Sequence, residues 1–325
     1  MLTRTIGNRR NVSALCLGAM NFGASTDPET ATKILDRFVE AGGTFIDTAN
    51  NYGQWHGQPG RSEEFLGNWM RERGNRDQLT VATKVGARST VPGDPGDEHW
   101  EGLGAETIEN AVKQSLERLR VERIDLYYAH IDDRRTPLEQ TVGALGSLAK
   151  EGLVDVIGCS NTTSWRLERA RQLATDQGVA RYEVIQQRHT YLWASPLAQG
   201  AERRLGSRHF PHATTEHFDY LEEHRDVTLV AYAPLVEGSY ARPERPFRAE
   251  RGYAHPTAYV RFEELRKVAN ELGATPNQVV LAWMLQKDPA VIPLFGASSV
   301  DQLDEALAAV DLDIDEETIE RLDQA

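Results

Sequence analysis

Short apolar runs alternate with amphipathic stretches along the whole 325-residue chain. The apolar runs read ALCLGA (14–19), TFIDTAN (44–50), LTVATKV (79–85), IDLYYAH (124–130), VDVIGCSN (154–161), YEVIQQRH (182–189), VTLVAYAPL (227–235) and AVIPLFGA (290–297). Each precedes a stretch whose apolar residues recur every three to four positions, the spacing of a helix with one buried face. The first such stretch is DPETATKILDRFVEAG (27–42), with Asp27 placed as the helix cap and Pro28 at the first helical position. Further stretches follow at 62–74, 107–120, 137–152, 164–178 and 215–226, then a pair at 257–273 and 275–287, and a last one at 299–310.

A strand reached through a helix lies parallel to its predecessor. Strands covered on both faces read as near-continuous apolar runs, as these do. Eight such units predict one α/β domain over residues 1–325, a (β/α)8 TIM barrel. A doubly wound sheet is the competing arrangement. Its dinucleotide-binding form needs G-x-G-x-x-G between the first strand and helix, where this chain has GAMNFGAS (18–25). Ahead of the first strand, TRTIGNRRNV (3–12) places a Gly-Asn turn between two short β-like arms. It predicts an N-terminal β-hairpin that plugs the bottom of the barrel. QWHGQPGR (54–61) and residues 191–214 lengthen two loops on the C-terminal face.

The composition narrows the function classes. A net charge of −13 argues against nucleic acid and anionic membrane as partners, since both call for a basic surface. No run approaches the ~20 apolar residues of a transmembrane helix. VSALCLGAM after Arg4, Arg9 and Arg10 imitates a signal peptide, but it is short, lacks a defined cleavage site and reads as a strand. Cys16 and Cys159 lie in apolar runs, which predicts buried thiols in a reducing, cytoplasmic setting. Thirty arginines against six lysines fit a GC-rich coding genome.

In a barrel of this kind the C-terminal ends of the strands face the active site. Several ends carry groups that a packed core would not choose: Asp47, Lys84, His130, Ser160, Asn161, Gln186 and Gln187, with Tyr52 one short loop beyond Asp47. Singly, each has an ordinary reading as a cap, a surface charge or a satisfied core residue. Asp, Tyr, Lys and His converging on one mouth suit proton donation coupled to hydride transfer. A phenol with a pKa near ~10 is a weak acid at neutral pH, and a neighbouring ammonium lowers that value. A carboxylate beside the ammonium fixes it, so Asp47 and Lys84 are expected to pair, with His130 orienting a carbonyl. The hydride has to come from a cofactor.

GAMNFG, FIDTANNYG, VATKVG, DLYYAH, GCSN, AYAPLVEG and IPLFGASSVDQLDEA occur in the order and approximate spacing seen in the aldo-keto reductases, and the chain resembles that family along its length. The resemblance implies a barrel that binds NADP(H) extended across its C-terminal mouth. It implies Tyr52 as proton donor, Lys84 and Asp47 as its tuning pair, and His130 as the carbonyl-positioning residue. Ser160, Asn161 and Gln186 match positions that hold the nicotinamide carboxamide, and Tyr232 matches the aromatic that stacks on its ring. Gly18, Ala19, Met20, Pro234, Leu235 and Gly238 match the lining of the ribose and pyrophosphate; Gly296, Ser298, Gln302 and Glu305 match the adenosine end.

At that end the chain departs from members that grip the 2′-phosphate with Lys and Arg: GASSVDQLDEA has no base and carries Asp301. NADPH remains the expected cofactor ahead of NADH, held by hydroxyls, backbone N–H groups and a helix N-terminus. Arg242, Arg245, Arg248 and Arg251 of the loop after the seventh strand are a second source of positive charge. His209, His212 and His217, with Glu216, cluster without a zinc spacing that holds up, so no metal site is expected. Trp55, Tyr128 and Trp193, with Trp100 beside them, are the expected walls of the substrate pocket, and homo-oligomers are compatible with the sequence. A keto group on a sugar or natural-product intermediate is the substrate class the aromatic walls and long loops favour. Two rival readings are an NADP(H)-binding regulatory subunit with little turnover and an aldolase with Lys84 as Schiff-base nucleophile.

Overall fold

The computed structural model describes residues 1–7, 9–195, 212–242, 247 and 252–325. Eight parallel strands close into a barrel in chain order: β3 (Cys16–Gly18), β4 (Phe45–Asp47), β5 (Thr80–Val85), β6 (Ile124–Ala129), β7 (Val154–Ser160), β8 (Val184–Arg188), β9 (Thr228–Tyr232) and β10 (Val291–Phe295), which pairs back with β3. The expected β/α alternation is present. Helices α1 (Pro28–Glu40), α2 (Arg61–Arg73), α3 (Ala105–Leu119), α4 (Leu138–Lys150) and α5 (Ser164–Gln177) follow the first five barrel strands in turn. After β8 comes α6 (Thr215–Glu223), after β9 come α7 (Pro256–Glu271) and α8 (Pro276–Leu285), and after β10 comes α9 (Val300–Ala308), with α10 (Glu316–Gln324) last. Asp27 caps α1 as the sequence indicated, accepting from the Thr30 amide at 3.0 Å. No helix among the described residues is long and apolar enough to cross a membrane.

Strand side chains alternate between two faces, so each barrel strand contributes one set to the lumen and one to the layer beneath the helices. The lumen is packed: Phe45, Leu126, Tyr128, Val184, Val230 and Ile292 meet there. Ile6 and Val12 join them from below, carried by the antiparallel hairpin of β1 (Thr3–Ile6) and β2 (Arg10–Ser13). Gly7 turns the hairpin with a φ of +57°, a backbone state that favours glycine. Its missing Cβ matters too, because one there would lie 2.9 Å from a Glu183 oxygen.

Charge fixes the plug in place. Arg10 pairs with Asp155 at 2.7 Å and with Asp125 at 3.2 Å. Asp125 is buried, pairs also with Arg76 at 2.8 Å, and accepts from the Val81 amide at 2.8 Å. One buried carboxylate therefore joins the hairpin, the start of β5 and the start of β6. Cys16 and Cys159 are both buried and free. Asp125→Ala leaves two arginines without that partner, and it is expected to lower the unfolding free energy by about 3 kcal/mol. Denaturant unfolding reads the effect, and an unchanged midpoint counts against it.

Candidate active site

Alternation that buries Phe45 in the lumen also turns Asp47 inward, two residues later and nearer the mouth. By the same parity Ala82 leads to Lys84, Tyr128 to His130, Gly158 to Ser160, Val184 to Gln186 and then Arg188, and Val230 to Tyr232. The polar strand ends are thus the top layer of a lumen whose lower layers are apolar.

Lys84 and Asp47 pair directly, with 0% and 1% of their side chains exposed. The ammonium also donates to the Thr48 carbonyl at 2.7 Å and to the Tyr52 hydroxyl at 3.1 Å. The other Asp47 oxygen accepts from Gln186 Nε2 at 2.8 Å. A buried ion pair is tolerated when its remaining lone pairs and protons find partners, and here they do. Burial pulls the Lys84 pKa down, but Asp47 and Tyr52 outweigh it and hold the lysine above its ordinary value. Burial also pushes the Asp47 carboxyl up, against the pull of Lys84 and Gln186.

Tyr52 corrects an expectation. The sequence predicts a phenol made more acidic by Lys84; in the structure burial raises its pKa by more than the ammonium lowers it. Tyr52 is a neutral phenol at neutral pH, the state a proton donor needs. His130 packs edge-on to it, with ring centroids 6.1 Å apart. Burial, reinforced by the Lys84 charge, holds His130 well below the usual imidazole range, so the ring is neutral. Its Nδ1 is buried with no partner among the described residues.

The end of β7 builds a second cluster. Asn161 has a φ of +57°, a left-handed conformation that asparagine tolerates better than most residues. The turn brings its amide nitrogen to the His130 carbonyl at 2.9 Å and to Ser160 Oγ at 3.1 Å. Its amide oxygen accepts from the Tyr232 hydroxyl at 2.7 Å. Ser160, Asn161, Gln186 and Tyr232 therefore share one side of the mouth with His130. On the other side, Gly18 pairs in register with Asp47, and the Ala19 amide donates to the Asp47 carbonyl at 2.8 Å. Met20 is exposed beside them.

Several other sequence-selected residues land elsewhere. Tyr128 is fully buried in the lumen, where a Cβ on Gly158 would lie 2.7 Å from its ring; it fills the barrel and is not an accessible pocket wall. Trp55 and Trp193 are exposed on the mouth side, by 54% and 61%, and Trp55 lies 6.5 Å from the Tyr52 ring. Trp100 is half-buried against the outer core. Gln187 points outward, donating to the Thr162 carbonyl at 2.9 Å and meeting His217 at 3.1 Å. His217 caps α6 through Nδ1, and its Nε2 meets Thr162, so both ring nitrogens are committed to structure. His212 pairs its ring with Tyr253; His209, Arg245, Arg248 and Arg251 lie outside the described residues.

Residues 14–325 match the family model described as "Aldo/keto reductase family". The chain belongs to the aldo/keto reductases. This reductase is 33% identical over 322 residues to the uncharacterized oxidoreductase YrpG of Bacillus subtilis, covering 96% of this chain and 91% of that one. It is 31% identical over 331 residues to norsolorinic acid reductase B of Dothistroma septosporum, covering 97% and 78%. An aryl-alcohol dehydrogenase of Pestalotiopsis microspora is 28% identical over 325 residues, covering 96% and 78%. The protein is an oxidoreductase, of a family whose reaction draws on a nicotinamide nucleotide.

Two side chains in this region escaped the sequence reading. Glu101, from the loop before α3, accepts from Asn50 Nδ2 and from the Gly86 amide, each at 2.8 Å. Nothing in HWEGLG marks that role. Arg188 was legible in principle, since it sits two residues beyond Gln186 in VIQQR and must share its face.

Buried histidines carry a pH signature. Burial lowers the pKa of His130 and His217, and with nearby cations takes His189 down to about 3. Below about 6.5 the unfolded chain binds protons that these folded sites refuse, so stability falls as pH drops from there. The melting temperature is expected to fall between pH 7 and pH 5. His189→Phe, which keeps an aromatic ring between Phe218 and Trp283, should reduce the slope, and an unaltered slope argues against this origin.

Proposed function

We propose that this aldo/keto reductase reduces an aldehyde or ketone carbonyl with NADPH, and that Tyr52 delivers the proton. The observation that carries the reading is the single ammonium of Lys84 joining Asp47 and Tyr52 in a buried layer at the barrel mouth. When bound, the reduced nicotinamide supplies the hydride.

The residues present fit such a group. Gly238 and Gly296 each leave open space where a Cβ would sit, at the two turns expected to lie along the nucleotide. Tyr232 offers a ring beside the Asn161 amide, and Ser160 and Gln186 offer polar groups nearby. Gly18, Ala19 and Met20 on one side, and Pro234, Leu235 and Gly238 on the other, would hold the ribose and pyrophosphate. At the far end Gln302 turns its amide oxygen onto the Ser298 amide and hydroxyl, at 2.9 and 3.0 Å. Once released from Gln302, those two donors, just ahead of α9, would suit a phosphate oxygen. Glu305 is already engaged by Thr275 at 2.6 Å and by Asn277, so it acts chiefly as a brace between α8 and α9.

Tyr52 holds its proton until negative charge develops on the carbonyl oxygen, and Lys84 then stabilises the phenolate left behind. Asp47 keeps the lysine in place. His130, neutral, donates to the carbonyl oxygen and orients it. General acid help of this type is worth ~10²–10⁴ in rate. Exposed Trp55 and Trp193 at the rim, together with relatives named norsolorinic acid reductase and aryl-alcohol dehydrogenase, favour an aromatic carbonyl on a natural-product intermediate over a small aldehyde.

The test follows nucleotide oxidation with a panel of aromatic aldehydes and ketones. Tyr52→Phe is expected to lose about 10²–10⁴ of kcat while still binding nucleotide. Full activity in that variant removes the mechanism. Saturation curves with both nucleotides decide the cofactor, with NADPH expected to saturate at the lower concentration; the reverse order assigns NADH.

A further inference from the structure

Three arginines are buried among the described residues: Arg171, Arg188 and Arg261. Arg171 donates to the Tyr182 carbonyl at 2.6 Å and pairs with Asp226 at 2.6 Å. Arg261 donates to the carbonyls of Tyr191 at 3.0 Å and Asp323 at 3.3 Å. Arg188 differs from both. It is 9% exposed and forms no ion pair among the described residues. Its near neighbour is Tyr232, its register partner on β9, with the guanidinium 5.1 Å from the ring centroid and hydrogen-bonded to that side chain. Tyr253 and the charge of Glu237, on the loop after β9, also favour its charged form.

Strand parity decides where this guanidinium points. Val184 lies in the lumen core and Gln186 reaches Asp47, so Arg188, two residues higher on the same strand, faces the mouth above the catalytic layer. A guanidinium carries five N–H donors in a planar fork, and one phenol, ring and hydroxyl together, cannot accept most of them. Burying such a group without an anion is unfavourable unless a ligand completes it. In a protein of net charge −13, Asp47 already balances Lys84, so the positive charge left over at the mouth is that of Arg188.

We propose that Arg188 anchors an anionic oxygen group, a carboxylate or an ionised phenol, on the carbonyl substrate. The proposal rests on the reductase reading above. It assigns the substrate a class: an aromatic carbonyl compound bearing an acidic group within reach of the guanidinium when its carbonyl lies at Tyr52. The planar fork suits two-point recognition of a carboxylate, which a lysine ammonium does not reproduce.

Benzoate and its neutral isostere benzamide are the probes. Each is titrated calorimetrically into the full-length protein at saturating NADP+, for wild type, Arg188→Gln and Arg188→Lys. Wild type is expected to bind benzoate at least ~10-fold more tightly than benzamide, the scale of one charge-assisted contact. Arg188→Gln should abolish that preference and Arg188→Lys retain part of it. Equal binding of the two probes by wild type, or a preference that survives in Arg188→Gln, overturns the proposal. So does an equal loss of NADP+ affinity in Arg188→Gln, because the anion would then be the nucleotide's phosphate. Melting temperatures identify a variant that fails to fold, in which case the lysine variant carries the comparison. The reductase reading is judged separately by Tyr52→Phe on a neutral aldehyde, so the two fail independently.

Discussion

The mouth of this barrel is organised by one ion pair taken almost entirely out of water. Lys84 and Asp47 expose 0% and 1% of their side chains, and neither charge is tolerable there alone. The Thr48 carbonyl, the Tyr52 hydroxyl and the Gln186 amide complete their hydrogen bonding. Four pieces of chain are thereby held in one geometry: β4, the loop after it, β5 and β8. A closed barrel is well suited to this, because its strands cannot slide singly without breaking register on both sides.

Around the pair, burial and charge compete with different outcomes. At Tyr52 burial wins and the phenol stays protonated. At Lys84 the anionic and phenolic neighbours win and the ammonium stays charged. At His130 burial and the lysine act together and the ring stays neutral. The three groups thus enter any reaction in distinct protonation states set by their surroundings. Placing them adjacent in sequence would not achieve this.

Much of this was legible from spacing. Alternating apolar runs and amphipathic stretches gave the barrel, and strand ends terminating in Asp47, Lys84 and His130 pointed to the mouth. The hairpin plug followed from a turn between two short arms. What stayed hidden depended on the third dimension. Tyr128 sits two residues before His130 on the same face, yet its depth in the lumen comes from the stagger of neighbouring strands. His217 resembled a ligand because its partners, Thr162 and Gln187, are remote in sequence. The sign of the Tyr52 shift turned on how much water the fold excludes, which no spacing records. Arg188 stands in the chain directly after two glutamines, and strict alternation separates it from Gln187 and joins it to Gln186.

The hairpin at the base has a consequence for traffic. Ile6 and Val12 fill the floor, and Arg10 bolts it to Asp125 and Asp155. With the lumen packed above that floor, the polar layer at its top opens to one rim only. Whatever reaches the Lys84 ammonium leaves by the way it came, so a molecule lying across the rim is a gate for everything seated beneath it. The sequence of arrivals and departures is then a property of the vessel's shape, settled at the end of the barrel farthest from the chemistry.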